Sequence, residues 1–331
     1  MRVTQQPVLR RFWYSTLPLE AFRVGPQPFQ LLGEKLVLWL DAEGQPAAAV
    51  DRCCHRTARL SQGQVCNGHI QCPYHGWEFD RQGSCVQVPQ LPPEERIPAS
   101  YRVQSFLAQE RYGYVWVCLS DQPLADIPAV PEVEEPQFWR VHTYNERWDC
   151  AGLRLMENVF DNAHFSIVHT GTFGDTDDPV PAAFELIELE DGIRTYTTVP
   201  VKNNLLQRQN VGILEERTVR IYQKNWMLPF TYRARVAYPN GLVTLIFMSA
   251  TPIDDTASQI THFFMRNDDP AGVDVDAVFR FNRAVAAEDR GILETTNPDV
   301  PLNLEAEQHM LADKPGILIR RKLAALIKAH S

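Results

Sequence analysis

The sequence predicts an α+β protein in two parts: a small all-β unit followed by an α+β unit built on an antiparallel sheet. Three observations predict it. The first 120 residues are short alternating runs cut by glycines, the pattern of a small strand-rich domain. Asn240-Gly241 sits between TYRARVAYP and LVTLIFMSATP, a strong two-residue hairpin signal. Residues 274 to 296 carry Val275, Val278, Phe279, Phe281, Val285 and Ile292 at helical spacing. With 331 residues, 44% of them hydrophobic, the chain is long enough for two cores.

Taken in order, Leu36 to Leu40 and Ala47 to Val50 flank the turn Asp41-Ala42-Glu43-Gly44, a hairpin. Gly63, Gly68, Gly76 and Gly83 punctuate further short strands, and Tyr112 to Leu119 reads as a buried strand. Pro123, Pro128, Pro131 and Pro136 then mark a linker or crossing segment. The domain division expected is 1–122 and 123–331. After it come a helical stretch from Arg154 to His169, the hairpin around Asn240-Gly241, a further strand in SQITHFFMRN, and the late helix.

Charge and composition exclude several classes. The net charge is −9 and the pI about 5.5, and no basic patch suits a phosphate backbone. No run of about eighteen apolar residues predicts a membrane span. The N-terminal MRVTQQPVLRRFWYSTLPLEAF has no apolar stretch after its arginines and does not read as a secretory signal. Seven cysteines in a chain of this size point to reduced or metal-bound thiols, hence the cytoplasm.

The chemistry is concentrated in two stretches. In CCHRTARLSQGQVCNGHIQCPYHGWEF, Cys53 and His55 form one Cys-x-His pair, and Cys72 and His75 form a Cys-x2-His pair sixteen residues on. One Cys and one His on each of two loops suit a [2Fe–2S] cluster in which two thiolates hold one iron and two imidazoles the other. Zinc also accepts two cysteines and two histidines, and it stays open at this point. Cys54 lacks the spacing and is expected to be a buried or neighbouring thiol; Cys66, Cys85, Cys118 and Cys150 read as core residues, and His69 as an exposed turn residue.

The second stretch, ENVFDNAHFSIVH, places Asp161 and His164 three apart on one helical face, with His169 five beyond His164. Two histidines with a carboxylate make the facial triad of mononuclear non-haem iron sites. A five-residue gap exceeds one turn, so the helix must bend, bulge or loosen between them. The carboxylate must come from elsewhere, and Glu288, Asp289 and Glu294 on the late helix are the candidates.

Three function classes follow: an oxygenase, an electron carrier holding only the cluster, and a zinc-bound structural module. The carrier would leave some 200 residues and a second histidine pair without a role.

The residues just quoted resemble those of Rieske-type non-haem iron oxygenases with a single kind of subunit, the branch that includes vanillate O-demethylase, the chlorophyllide and pheophorbide a oxygenases and the saxitoxin-pathway oxygenases. The match runs through C-x-H-x16-C-x2-H, through E-N-x2-D-x2-H-x4-H from Glu157 to His169, through Glu288-Asp289-x2-Ile292-Leu293-Glu294, and through DKPGILIRRKLAAL near the C-terminus. Departures fall at Cys54 and at Thr295-Thr296. The resemblance implies a catalytic domain of helix-grip type and places the third iron ligand at Asp289. It implies hydroxylation or oxidative demethylation of a small, largely apolar organic substrate by O2, with electrons from NAD(P)H through a reductase or ferredoxin. It also implies a homotrimer in which Asp161 links the two metals across a subunit boundary. Asn158, one turn before Asp161, is expected to line the iron site. Met227, Phe230, Met248 and Phe264 are candidate pocket or core residues, and Lys202, Arg208, Arg217 and Arg220 read as a solvated face. The basic amphipathic segment GILIRRKLAALIKAH is expected to pack on the catalytic domain rather than lie on a membrane surface.

Overall fold

In the computed structural model, which describes residues 1–330, the chain divides into two compact units. One spans Val3–Ile127. The other spans residues 128–330 together with Met1–Arg2.

The first unit is all β. Its larger sheet runs in the order Tyr14–Pro18, Tyr114–Cys118, Ser105–Arg111, Pro46–Val50, Glu34–Leu40, Gln27–Leu31, every pairing antiparallel. The expected hairpin is present, with Leu36 opposite Val50 and Leu40 opposite Pro46. The strand Tyr114–Cys118 is buried at every position. A second, four-stranded sheet (Gln64–Cys66, His69–Gln71, Glu78–Phe79, Cys85–Gln87) carries the Cys72–His75 loop between its second and third strands, and the Cys53–His55 loop connects the larger sheet to it. Val37, Trp39, Ala47, Leu60, Ile70 and Phe79 pack with Cys53, Cys72 and Trp77 in one apolar cluster. The bases of both loops are thus part of the core, which holds them still. His69 lies on a strand, half-buried, rather than exposed in a turn.

The second unit centres on a seven-stranded antiparallel sheet. Six strands, Phe184–Leu189, Gly192–Lys202, Arg217–Met227, Thr231–Ala237, Val243–Pro252 and Ser258–Arg266, follow one another as a meander. The earlier strand Trp139–Trp148 closes the row beside Ser258–Arg266. The predicted Asn240-Gly241 hairpin joins Thr231–Ala237 to Val243–Pro252. Ser258–Arg266 is buried at all nine positions, as a strand covered on both faces must be.

Five helices accompany this sheet: α1 (Gly152–Phe160), α2 (Phe165–Val168), α3 (Leu205–Val211), α4 (Val275–Leu293) and α5 (Lys314–Ala329). The expected continuous helix from Arg154 to His169 is not formed. Helix α1 stops at Phe160, and Asp161 is extended at φ −74°, ψ 135°. Its carboxylate takes the N–H groups of Ala163 at 2.7 Å and His164 at 3.3 Å. A short acceptor side chain that bonds its own following amides offers the backbone an alternative to another helical turn. Asp161 and His164 therefore do not share a helical face. The late helix forms as predicted, although Val275, Phe279 and Ile292 are exposed and Ala277, Ala286 and Leu293 complete its buried stripe.

Helix α5 packs on α1 and buries Pro315, Ile319 and Leu323. Arg320, 2% exposed, reaches both carboxylate oxygens of Glu157 on α1 and the carboxylate of Glu307. Among the described residues, no helix is long and apolar enough to cross a membrane.

Candidate metal centres

The two cysteine–histidine loops have the same backbone. Cys53 donates its N–H to Ala58 O at 2.8 Å, and Thr57 N–H bonds Cys53 O at 3.1 Å. Cys72 donates to Trp77 O at 2.8 Å, and Gly76 N–H bonds Cys72 O at 3.0 Å. Four residues after each cysteine the chain turns left-handed, at Thr57 (φ 60°) and Gly76 (φ 73°). Glycine enters that region freely, whereas a β-branched residue there is strained.

The side chains converge from these loops. Cys53 and Cys72 are buried, while His55 is exposed and His75 half-buried. The imidazoles of His55 and His75 stand 4.6 Å apart between centroids, and His55 stacks flat on Trp77 at 4.6 Å. Burial pushes the Cys53 thiol up to about 12, and the Cys72 thiol beside it adds to the rise. A bound metal reverses that logic, since a coordinating thiol is deprotonated outright. Partial desolvation, with His75 and Arg56 nearby, lowers the pKa of His55, the direction that favours the neutral form a metal needs. The buried indole N–H of Trp77 has no partner, which fits a group that brings its own acceptors. Two thiols, two imidazoles and an orphan donor fit a [2Fe–2S] cluster. Cys54 is exposed, so of the two readings the buried thiol fails, while its contact with Cys53 keeps it a neighbour of the site.

The second centre gathers His164 and His169 from the two ends of α2 and Asp289 from α4. His164 Nε2 and His169 Nε2 lie 3.2 Å apart, and Asp289 Oδ1 is 3.5 Å and 3.4 Å from them. These three donor atoms are grouped as a metal site would require. A point just off their plane lies about 2.0–2.2 Å from all three, the usual reach from a first-row divalent ion to imidazole nitrogen or carboxylate oxygen. The break after α1 makes this possible, because it lets His164 and His169 turn toward each other across the short α2.

Each imidazole is held from behind. His164 Nδ1 is 3.2 Å from Asp161 Oδ2, and His169 Nδ1 is 2.9 Å from Glu288 Oε2. A carboxylate on Nδ1 fixes the tautomer that leaves Nε2 free to bind metal. Asn158 Nδ2 donates to Asp289 Oδ1 at 2.9 Å, so the expected lining residue contacts the third donor. Burial works to raise the pKa of Asp161, but His164 and the N–H groups of Ala163 and His164 outweigh it and hold it below the carboxylate range. Of the three candidate carboxylates only Asp289 joins the triangle. Glu288 backs His169, and Glu294 accepts from Arg290 and the Asp149 N–H.

A cavity of about 120 Å³ opens onto this triangle. Met248 and Phe264 line it; Phe230 is buried but not part of its wall. His262, also in the wall, is driven down to about 3 by burial and by Arg283, so it is neutral. Arg220, in the cavity wall, overturns the reading of a solvated basic face at its own position, and Lys224 lines the cavity beside it. Both are buried on the strand Arg217–Met227, where every second side chain points inward. Burial lowers Lys224 to about 7, against the pull of Asp161 and Asp289, and its Nζ donates to Asn162 Oδ1 at 2.8 Å. Arg217, by contrast, is exposed and pairs with Asp175. The sequence signal missed here was the alternation Arg220, Tyr222, Lys224, Trp226, which puts two cations on the same face as a tyrosine and a tryptophan.

Two families match the chain. The Rieske [2Fe-2S] domain matches residues 12–107, and the vanillate O-demethylase oxygenase C-terminal domain matches residues 148–329. The methylxanthine N1-demethylase NdmA of Pseudomonas putida is 28% identical over 98% of this chain and 91% of that protein. The oxygenase component of dicamba O-demethylase from Stenotrophomonas maltophilia is 37% identical over 49% of this chain and 48% of that protein. The solved structure of NdmA with caffeine superimposes with a TM-score of 0.85 at 27% identity, covering 99% of this chain and 93% of that one.

Proposed function

The chain belongs to the Rieske oxygenases whose catalytic half is of the vanillate O-demethylase type, and from that premise we propose how its own residues share the work. The protein is an oxidoreductase that acts on small organic molecules and uses a [2Fe–2S] cluster and Fe(II). Cys53, Cys72, His55 and His75 hold the cluster. His164, His169 and Asp289 hold Fe(II), which when bound and supplied with electrons activates O2 for attack on a substrate C–H bond.

The remaining residues position and protect. Asp161 and Glu288 keep the two imidazoles in the metal-binding tautomer, and Asn158 fixes Asp289 by its amide. The cavity wall of Phe165, Ile246, Met248 and Phe264 shelters an apolar substrate body from water. Hydroxylation or oxidative demethylation by monooxygenation is the reaction favoured. Electrons reach the cluster one at a time from NAD(P)H through a reductase or ferredoxin. The assembly is a head-to-tail homotrimer in which Asp161 bridges His164 to a cluster histidine of the neighbouring chain; a ring of heterologous contacts closes in this way. The site of action is the cytoplasm. The first unit, up to the proline-rich segment beginning at Pro123, carries the cluster, and the remainder carries the iron.

The observation that carries this reading is the donor triangle of His164, His169 and Asp289 opening onto a cavity. An electron carrier has no use for it. The test is metal content and product together. The unmodified protein is expected to hold about three irons per chain, two of them in the cluster. Asp289→Ala is expected to fall to about two while the red-brown colour stays. With a reductase and a substrate panel, oxygen from labelled O2 must enter a hydroxylated product, or the formaldehyde released by demethylation, with the unmodified protein only. Two irons per chain in both proteins would leave a carrier; retention of the third iron in the variant would move the ligand away from Asp289.

A further inference from the structure

Three cations line the catalytic cavity, and two of them are satisfied. Arg266 bonds the carboxylate of Asp268 and both oxygens of Asn210. Lys224 bonds Asn162. Arg220 is different. It is 4% exposed, and among the described residues its polar partner is the Tyr222 hydroxyl, which takes Nη1 at 3.1 Å. Its Nε and Nη2 are buried and have no hydrogen-bond partner among the described residues, the guanidinium packing only on the rings of Phe173, Phe281 and Tyr238.

Those two nitrogens are not an arbitrary pair. They form the lateral edge of the guanidinium, whose two parallel N–H bonds match the two oxygens of a carboxylate. A buried cation with that edge unfilled is a built half of an ion pair. Its place is also defined. The guanidinium carbon lies 4.0 Å from the centroid of Phe173, and Phe173 stacks on the His169 imidazole at 4.6 Å. Arg220 is therefore no farther from the metal ligand than those two steps laid end to end, with one aromatic ring between.

We propose that Arg220 is the specificity-determining residue of this oxygenase and that its substrate is a small organic acid, whose carboxylate takes the Nε and Nη2 edge while its apolar body lies toward His169 and Asp289. The proposal rests on the assignment of this cavity as the oxygenase site, but it is tested by binding rather than turnover. The carboxylate replaces the missing partner; the rest of the substrate meets Phe173, Phe281 and Met248. An isosteric neutral amide offers one acceptor and sets an N–H2 group against a cation, so it is rejected in spite of its equal size.

The experiment is calorimetric binding to the iron-loaded protein under anaerobic conditions, with a panel of small aromatic and aliphatic carboxylic acids and the primary amide of each. At least one acid is expected to bind tenfold or more tightly than its amide. In Arg220→Gln that preference is expected to vanish while the affinity for the amide changes by less than threefold. Arg220→Lys, which keeps the charge and loses the planar edge, is expected to retain only part of the preference. If no acid outbinds its amide in the unmodified protein, the proposal is overturned, whether or not the variants fold. It is likewise overturned if Arg220→Gln keeps the full preference. A protein that prefers acids but puts labelled oxygen neither into an acid product nor into formaldehyde released from one would instead overturn the oxygenase assignment and leave Arg220 as an acid-binding residue.

Discussion

His169 Nδ1 and Glu288 Oε2 lie 2.9 Å apart, and the same carboxylate oxygen receives the Thr172 hydroxyl at 2.7 Å. Glu288 precedes Asp289 on α4, so neighbouring carboxylates serve one site from two sides. Successive helical residues point about 100° apart, which lets Asp289 face the donor triangle while Glu288 grips an imidazole from behind.

Glu288→Gln replaces the carboxylate by a neutral amide of equal size. The imidazole keeps a hydrogen-bond partner but loses the charge that favours its metal-binding tautomer. Iron affinity or activity is expected to fall by about 10–100-fold with the cluster untouched. Iron retention during dialysis against a graded chelator checks it; loss equal to that in Asp289→Ala would make Glu288 a direct ligand.

Asp161→Asn tests the link between the centres. The amide oxygen still accepts the Ala163 N–H, so α1 should end where it does now. Iron affinity is expected to fall as in Glu288→Gln, so the variant is loaded with excess iron, and re-oxidation of its pre-reduced cluster by substrate and O2 is then expected to slow at least tenfold. Rapid-mixing absorbance reads the cluster directly. An unchanged rate would confine Asp161 to orienting His164 within its own chain.

Lys224 makes stability depend on pH in a defined direction. Its folded pKa is about 7, below the ordinary 10.5. Between those values the unfolded chain holds a proton that the folded chain lacks, so stability rises with pH across that window and falls as pH drops toward 7. The full difference is on the order of 4–5 kcal/mol. Lys224→Met removes the penalty but leaves Asn162 Oδ1 without its donor, which costs about 1–3 kcal/mol. The variant is expected to melt several degrees higher at pH 7 and to lose the rise between pH 7 and 10. A lower melting temperature at pH 7 would mean that Lys224 is bound in its charged form by more than Asn162.

The parts legible in the sequence are those whose cause is local. Asn240-Gly241 carries its own turn preference, and the cysteine–histidine spacings carry their own coordination chemistry. The break at Asp161 was hidden because apolar residues continue on either side of it, while the carboxylate that ends the helix acts through two amides rather than through periodicity. The choice between Glu288 and Asp289 needed the resemblance, since the sequence alone does not fix the rotation of α4 about its axis. Arg220 was misread for a deeper reason. Four cations between Lys202 and Arg220 look like a wet surface, and only the neighbouring strands and α4 decide that one of them is walled in.

The bond between Arg320 and Glu157 sets an order in time. Glu157 adjoins Asn158, whose amide donates to Asp289, so α5, docked on α1 through Arg320, braces the helical turn behind the donor triangle. The compact unit that holds the cysteine–histidine loops ends at Ile127. Roughly 190 further residues separate it from α5, and at about 5–20 residues per second the ribosome takes about 10–40 s to supply them. The four cysteine and histidine donors of the first unit thus leave the ribosome well before α5, the brace of the second centre, has been made.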